Sequence, residues 1–338
     1  MESNTRGHVV VEHFESAVLR GNRAGDPHLR RVPVYLPPSY AASPARRYPV
    51  LYLLTGFMGR GRMLLNDSPW TPAIHDRMDG LIASGACKEM ILVMPDCFTR
   101  YGGSQYLNSS ATGCYEDHVI NELVPHIDAR YRTLAERAHR GVAGKSSGGY
   151  GALTLGMRHP EVFGALACHS GDMYFDYCYR GDVASSCAGL QRAGGVGAWL
   201  EAFEAKIQKK HDDFVVLNIL GMAAAYSPNP DTEPYGIDLP CDLKTGAFRP
   251  DVWQRWLDHD PLTLLSAHAD ALRAMSLVYM DCGTRDEWNL HLGARMFVRR
   301  LSELSIAHEY QEYDDGHMGV SYRYDVSLPR LARALTGG

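Results

Sequence analysis

The 338-residue chain predicts an α/β fold with a mainly parallel central sheet covered by helices on both faces. Two observations lead there. Continuous apolar runs of strand length recur along the chain, as strands buried on both faces require: Tyr48-Pro49-Val50-Leu51-Tyr52-Leu53-Leu54, Met90-Ile91-Leu92-Val93-Met94 and Leu277-Val278-Tyr279-Met280. Segments with apolar residues at helical spacing alternate with these runs, which is the order that a parallel sheet with crossover helices produces.

The elements follow in order. Residues 8–19 and 31–36 alternate as two opening antiparallel strands, with Pro37-Pro38 ending the second. Residues 71–84 carry Ile74, Met78, Leu81 and Ile82 at helical spacing, and residues 116–131 place Val119, Leu123 and Ile127 on one helical face. Residues 151–158 read as a helix, 163–168 as a strand, 290–304 as a helix, 308–313 as the last strand, and 329–335 as a short closing helix. The exception is residues 171–266, with glycine-rich Gly194-Gly195-Val196-Gly197, Ser227-Pro228-Asn229-Pro230, and Trp199, Trp253 and Trp256. This stretch is too long for a simple loop. It predicts a partly helical cap over the C-terminal edge of the sheet, leaving residues 1–170 and 267–338 as the core.

Composition narrows the function. The formal charge is 34 − 39 = −5 with no basic stripe, so nucleic-acid binding is not expected. Met1-Glu2-Ser3-Asn4-Thr5-Arg6 has no apolar leader character, and no run reaches membrane-spanning length. Eight cysteines are scattered without C-x-x-C spacing and read as free buried thiols in a reducing cytoplasm, although Cys178 and Cys187 could pair across a loop. Without H-E-x-x-H or Cys/His pairs, no metal or other cofactor is expected. Exposed tryptophans on the cap would suit a homodimer contact.

The chemistry concentrates at Gly144-Lys145-Ser146-Ser147-Gly148-Gly149, between the apolar Gly141-Val142-Ala143 and the helical segment that follows. Its G-x-S-x-G register singles out Ser146 as a nucleophile raised on a tight strand-to-helix turn. Ser147 would need glycine at 145 and finds Lys145. A serine hydroxyl needs a base, and the base an orienting acid, in the order serine, acid, histidine. The strand 277–280 is followed by Asp281-Cys282-Gly283-Thr284-Arg285-Asp286-Glu287, and the strand 308–313 by Asp314-Asp315-Gly316-His317-Met318. His317 is therefore the expected base. Asp286 is the expected acid, with Asp281 and Glu287 as alternatives.

The tetrahedral intermediate needs two N–H donors. Ser147, after the nucleophile, supplies one, and Phe57 in Thr55-Gly56-Phe57-Met58-Gly59 the other. Lys145 either favours anionic character beside the serine or is simply solvated. Tyr150, His169, Trp288 and Met318 are candidates for substrate contact, with Phe57, Met173 and Tyr174 adding apolar surface.

These residues, together with Leu53-Leu54-Thr55-Gly56, Met94-Pro95-Asp96, Gly102-Gly103-Ser104-Gln105-Tyr106, Tyr115-Glu116-Asp117 and Glu122-Leu123-Val124-Pro125, resemble the esterase D and enterobactin-esterase-like branch of the α/β hydrolases. That branch includes S-formylglutathione hydrolases and mycobacterial mycolyltransferases. The resemblance covers most of the chain and implies the α/β-hydrolase fold. It also implies Ser146 as nucleophile, Asp286 as acid, His317 as base, and Phe57 and Ser147 as oxyanion donors. Two departures alter the pocket rim: Thr55 stands where many relatives carry histidine or aspartate, and Lys145-Ser146-Ser147 replaces the commoner His/Leu-Ser-Met. The expectation is a serine carboxylic-ester hydrolase acting on a small-molecule ester. Acyl transfer to an alcohol, thioester hydrolysis and a non-catalytic binding protein are the competing readings.

Overall fold

A computed structural model describes residues 6–337. The leader reading falls largely on residues 1–5, outside them. Eight strands form one sheet, with β1 His8–Glu15, β2 Leu29–Leu36, β3 Val50–Leu54, β4 Ile91–Val93, β7 Arg140–Lys145, β8 Ala165–His169, β9 Leu277–Gly283 and β10 Glu309–Tyr313 in the spatial order β1-β2-β4-β3-β7-β8-β9-β10. β1 pairs antiparallel with β2, and β2 antiparallel with β4; every pairing from β4 to β10 is parallel. A two-residue hairpin, β5 Asn108–Ser109 with β6 Gly113–Cys114, stands apart; segments so short leave no periodicity to read.

The helices are α1 Ile74–Ala83, α2 Tyr115–Asp117, α3 Val124–Arg130, α4 Ser147–Arg158, α5 Phe175–Cys178, α6 Arg180–Ala193, α7 Val196–Ala205, α8 His211–Tyr226, α9 Pro250–Leu257, α10 Pro261–Leu264, α11 Ala269–Arg273, α12 Leu290–Glu303 and α13 Tyr324–Leu335. A π-helical turn, His118–Leu123, joins α2 to α3. Pro329 lies inside α13 rather than opening it. A 3-10 turn, Val320–Arg323, starts that helical course earlier than the proline signal suggested.

Strand alternation sorts the core into two layers. Leu51, Leu53, Ala143, Ala165, Ala167 and Tyr279 face α1 and α13, meeting Ile74, Met78, Leu328, Leu331 and Leu335. Val50, Tyr52, Leu54, Val142, Leu166 and Cys168 face the opposite helices, meeting Val119, Leu123, Leu153, Phe297 and Leu301. Helix α4 is buried along almost its whole length because the residues after β8 roof it. Leu190, Trp199, Leu220 and Trp256 from that stretch join the same apolar cluster as the sheet. Asp260 ties the end of this insertion to its beginning by accepting the Tyr174 and Phe175 N–H groups at 3.1 and 2.7 Å.

One expectation changes. Trp199, Trp253 and Trp256 are buried, with Trp256 donating to Ser227 Oγ at 2.8 Å, so the exposed-tryptophan ground for a homodimer falls away. Their apolar bulk packs into the same core as one face of the sheet. Cys178 and Cys187 are unpaired, and all eight cysteines are free thiols. Among the described residues no helix is long and apolar enough to cross a membrane.

Candidate active site

Ser146 sits between β7 and α4 at φ 58°, ψ −127°, a conformation that L-residues rarely adopt. The glycines of the motif explain how it is held there. A Cβ on Gly144 would lie 2.3 Å from the Gly148 carbonyl oxygen, and one on Gly148 would lie 2.2 Å from the Leu54 carbonyl oxygen. The turn therefore packs backbone on backbone against the end of β3, where the loop 55–59 begins. A Cβ on Gly56 would lie 3.2 Å from Ser146 Cβ, so this loop runs directly past the serine. Phe57 turns its ring away, against Gly102 and Gly221 of α8. Among the described residues neither the Phe57 nor the Ser147 N–H has a hydrogen-bond acceptor. Ser147 is also the first residue of α4, where the helix dipole favours negative charge.

The structure separates the three candidate acids. His317 Nδ1 lies 2.7 Å from Asp286 Oδ2, and both residues are nearly buried. Asp286 Oδ1 accepts the Trp288 N–H at 3.0 Å, so the loop after β9 fixes the carboxylate. Glu287 instead accepts the backbone N–H of His317 at 2.7 Å and positions the histidine loop. Asp281 belongs to a different group: it binds His169 Nδ1 at 2.8 Å and Arg323 Nε at 2.9 Å. Burial alone would raise the Asp281 pKa, but His169 and Arg323 outweigh it and leave the pKa lowered.

Of the four residues considered for substrate contact, two depart from that reading. His169 follows Cys168 on β8 and so faces the opposite side of the sheet from α4. Its Nε2 lies 2.9 Å from Ser327 Oγ, and its ring packs on Tyr324 of α13. Tyr150 is fully buried between Phe175 and Tyr226, its hydroxyl reaching the His259 carbonyl at 3.2 Å, because the insertion roofs α4. Trp288 stays at the site, its ring centroid 4.8 Å from that of His317 in an edge-to-face arrangement. Met318 is 67% exposed at the outer rim. Lys145 is half-buried rather than solvated. Burial lowers its pKa against the pull of Asp286, Glu287 and Asp172.

Sequence reasoning missed Asp172. It follows β8 through Ser170-Gly171, on the same sheet edge as the other loops, and that position was the available signal. Its Oδ2 accepts from Tyr179 at 2.7 Å, Ser147 Oγ at 2.9 Å and Gln105 Nε2 at 3.1 Å. Its Oδ1 meets Ser146 Oγ at 3.4 Å, a long and weak contact. Burial raises the Asp172 pKa, opposed by Tyr179, Ser147, His317 and Gln105. Gln105 carries no periodic signal either. It stands at φ 51°, fixed by Asp172 and by Tyr226 at 2.9 Å. No group of three or more metal-ligating side chains occurs among the described residues.

The strand order and a positive-φ serine between the central strand and its helix, with loops after the last two strands carrying Asp286 and His317, define an α/β hydrolase. Within that class, the chain belongs to the esterase family: residues 27–328 match the family described as "Putative esterase". It is 30% identical over 184 residues to an endo-1,4-beta-xylanase/feruloyl esterase of Xylanibacter ruminicola, covering 51% of this chain and 24% of that protein. It is 38% identical over 148 residues to Esterase Rv1288 of Mycobacterium tuberculosis, covering 41% and 28%. The matched stretch thus spans about a quarter of either relative. A solved ferulic acid esterase superposes with a TM-score of 0.64 at 22% identity, over 97% of this chain and 99% of that one, and so shares the fold.

Proposed function

We propose that this chain is a serine carboxylic-ester hydrolase that works through an acyl-enzyme, with Ser146 as nucleophile, His317 as base and Asp286 as acid. The observation that carries the reading is the positive-φ serine beside the loop 55–59, with the Phe57 and Ser147 N–H groups unengaged, at the sheet edge that also presents the His317–Asp286 pair. The family assignment and the ester-cleaving names of the relatives support the reaction class.

In the resting arrangement the Ser146 hydroxyl donates weakly to Asp172, and His317 Nε2 has no partner among the described residues. Catalysis begins when the hydroxyl turns to Nε2. Oγ attacks the acyl carbon while Nε2 takes its proton, and the carbonyl electron pair moves to oxygen, where the two N–H groups hold it. Asp286 keeps Nδ1 protonated and stabilises the imidazolium. Collapse breaks the C–O bond, and the alcohol leaves with the proton from Nε2. Water, deprotonated in turn by His317, releases the acid. Ser146 is half-buried, not sealed, so water can reach the acyl-enzyme. Eight free thiols support a reducing compartment.

The test is fluorophosphonate labelling with peptide mapping, beside turnover of p-nitrophenyl acetate, for wild type, Ser146→Ala and Ser147→Ala. The expected result is one adduct on Ser146, absent only from Ser146→Ala, whose turnover disappears while its melting temperature is kept. Turnover retained in Ser146→Ala would overturn the assignment.

A further inference from the structure

Asp172 is not used by the mechanism above, yet its carboxylate lies beside the nucleophile. Its residue is 5% exposed, and its two oxygens are unequally occupied. Oδ2 holds three donors, from Tyr179, Ser147 and Gln105, which lock the carboxylate plane. Oδ1 has only the Ser146 hydroxyl at 3.4 Å. An ionised carboxylate oxygen has room for two donors at shorter range, so Oδ1 retains acceptor capacity, directed at the half-buried serine. Gln105, which orients Oδ2, is itself held by Tyr226, so the arrangement is built from three separate elements: the loop 102–106, the loop after β8, and α8.

A carboxylate at this place opposes catalysis unless something covers it. Negative charge develops on the substrate oxygen within a few ångströms of Ser146 Oγ, and a like charge nearby raises the energy of that state. During turnover the Ser146 proton passes to His317, which removes the one donor that Oδ1 has. The substrate is the remaining source of a donor. In the acyl-enzyme the carbonyl carbon is bonded to Oγ, and a substituent on the carbon next to it lies three bonds from Oγ. That is the position from which a short contact to Oδ1 can be made.

We infer that Asp172 Oδ1 is a specificity-determining acceptor for a hydroxyl or ammonium donor on the α-carbon of the acyl group, so that the preferred substrates are esters of α-hydroxy or α-amino acids rather than of plain alkanoic acids. The inference rests on the serine-esterase reading and deepens it. The burial that raises the Asp172 pKa is consistent with a site completed by such a donor.

The experiment compares p-nitrophenyl esters of propionate, lactate and alanine, which share one carbon skeleton, with each kcat/KM divided by the ester's hydroxide-catalysed rate. The expected result for wild type is a normalised rate at least tenfold higher for lactate or alanine than for propionate, expressed mainly in kcat. The lactate arm reports a hydroxyl partner and the alanine arm an ammonium partner. Asp172→Asn is expected to reduce that ratio at least tenfold. Because the substitution disturbs three hydrogen bonds, an assay on wild type alone stands beside it: inhibition by 1-aminoethylboronic acid against ethylboronic acid, where at least tenfold tighter binding of the amino compound is expected of an ammonium site. Normalised rates within threefold of each other for all three esters would overturn the inference. So would a ratio unchanged in folded Asp172→Asn. In either case, Ser146 labelling and propionate turnover would leave the esterase reading standing. Absence of both labelling and turnover in wild type would remove that reading itself.

Discussion

Gly148→Ala tests how the turn beneath Ser146 couples folding to the reaction centre. The added Cβ would stand 2.2 Å from the Leu54 carbonyl oxygen, 2.7 Å from its carbon and 2.8 Å from the Thr55 carbonyl oxygen. Real Cβ contacts do not fall below 3.0 Å, so at least 3.0 − 2.2 = 0.8 Å must open between α4 and the end of β3. Both neighbours are backbone, and no side-chain rotation can relieve the overlap. Alanine gains at most about 1 kcal/mol of helix propensity at the start of α4, whereas overpacking of this kind costs about 3 kcal/mol, so destabilisation wins. For a chain of 338 residues, 1 kcal/mol corresponds to about 1.4 °C, so the net loss is a fall of roughly 3 °C. The effect on turnover is larger. Opening this gap moves Phe57 away from Ser147, and a displacement near 1 Å in a catalytic constellation costs on the order of 100-fold. The assay is kcat/KM on p-nitrophenyl acetate with a thermal melt, beside Gly80→Ala on the open face of α1, where a Cβ meets nothing within 4 Å. That control is expected to gain 0.5–1 kcal/mol, or about 1 °C. Gly148→Ala with wild-type kcat/KM and melting temperature would refute the argument that these glycines hold Ser146 against the loop 55–59.

Other perturbations separate catalytic from structural acids. Asp286→Asn leaves the packing but presents the wrong partner to His317 Nδ1, so kcat is expected to fall on the order of 10³–10⁴-fold with little change in melting temperature. A loss under tenfold would return the acid's role to its neighbours. Asp281→Asn leaves Arg323 without its buried counter-charge and removes the carboxylate partner of His169 Nδ1, so it is expected to cost about 3 kcal/mol in urea unfolding. Wild-type stability in that variant would contradict the structural role. His259, with its pKa pushed down to about 4 by burial and by Arg158, is neutral when folded but protonates near 6.5 when unfolded. Its folded pKa is depressed, so between pH 6.5 and 4 the unfolded chain binds the extra proton and stability falls as pH falls. The slope from this group approaches about 1.4 kcal/mol per pH unit. His259→Phe is expected to flatten the loss of urea stability between pH 7 and pH 5; an unchanged loss would show that His259 does not cause it.

Much of the fold was legible because parallel strands buried on both faces leave long apolar runs. Val50 to Leu54, all buried, is the clearest example. The strained Ser146 turn was legible because the backbone contacts at Gly144 and Gly148 exclude any side chain, leaving a fixed glycine spacing in the sequence. Asp172, Gln105 and the role of Glu287 left no such trace. Each works through contacts between segments far apart in the chain, such as Gln105 with Asp172 and Tyr226. His169 was misplaced for a reason of one residue. Position along β8 could be read from the chain, but not which side of the sheet its ring would face. The insertion's tryptophans were read as exposed because their spacing does not say what they pack against, and Trp256 in fact lies among Tyr179, Tyr226 and Trp253.

The sheet carries a second row of serine, histidine and aspartate, and it shows why such distances alone do not make a nucleophile. Ser327 Oγ, His169 and Asp281 are linked at 2.9 and 2.8 Å, tighter than any side-chain contact of Ser146. All three are buried, with Ser327 completely inaccessible in the first turn of α13. Arg323 already neutralises Asp281, and Tyr279 donates to it at 2.9 Å, so this carboxylate is committed to the fold. Ser327 lies inside the helical course that the 3-10 turn Val320–Arg323 begins, and not on a positive-φ turn between a strand and a helix as Ser146 does. Ser146 has the opposite attributes: a longer contact, partial exposure, a strained backbone and two unengaged N–H groups. A fluorophosphonate is therefore expected to modify Ser146 and to leave Ser327 untouched, even at long exposure. Ser327→Ala should lower stability by about 1 kcal/mol without changing the labelling rate. An adduct on Ser327 in folded protein would mean that α13 opens from the sheet, and the distinction drawn from burial would then fail.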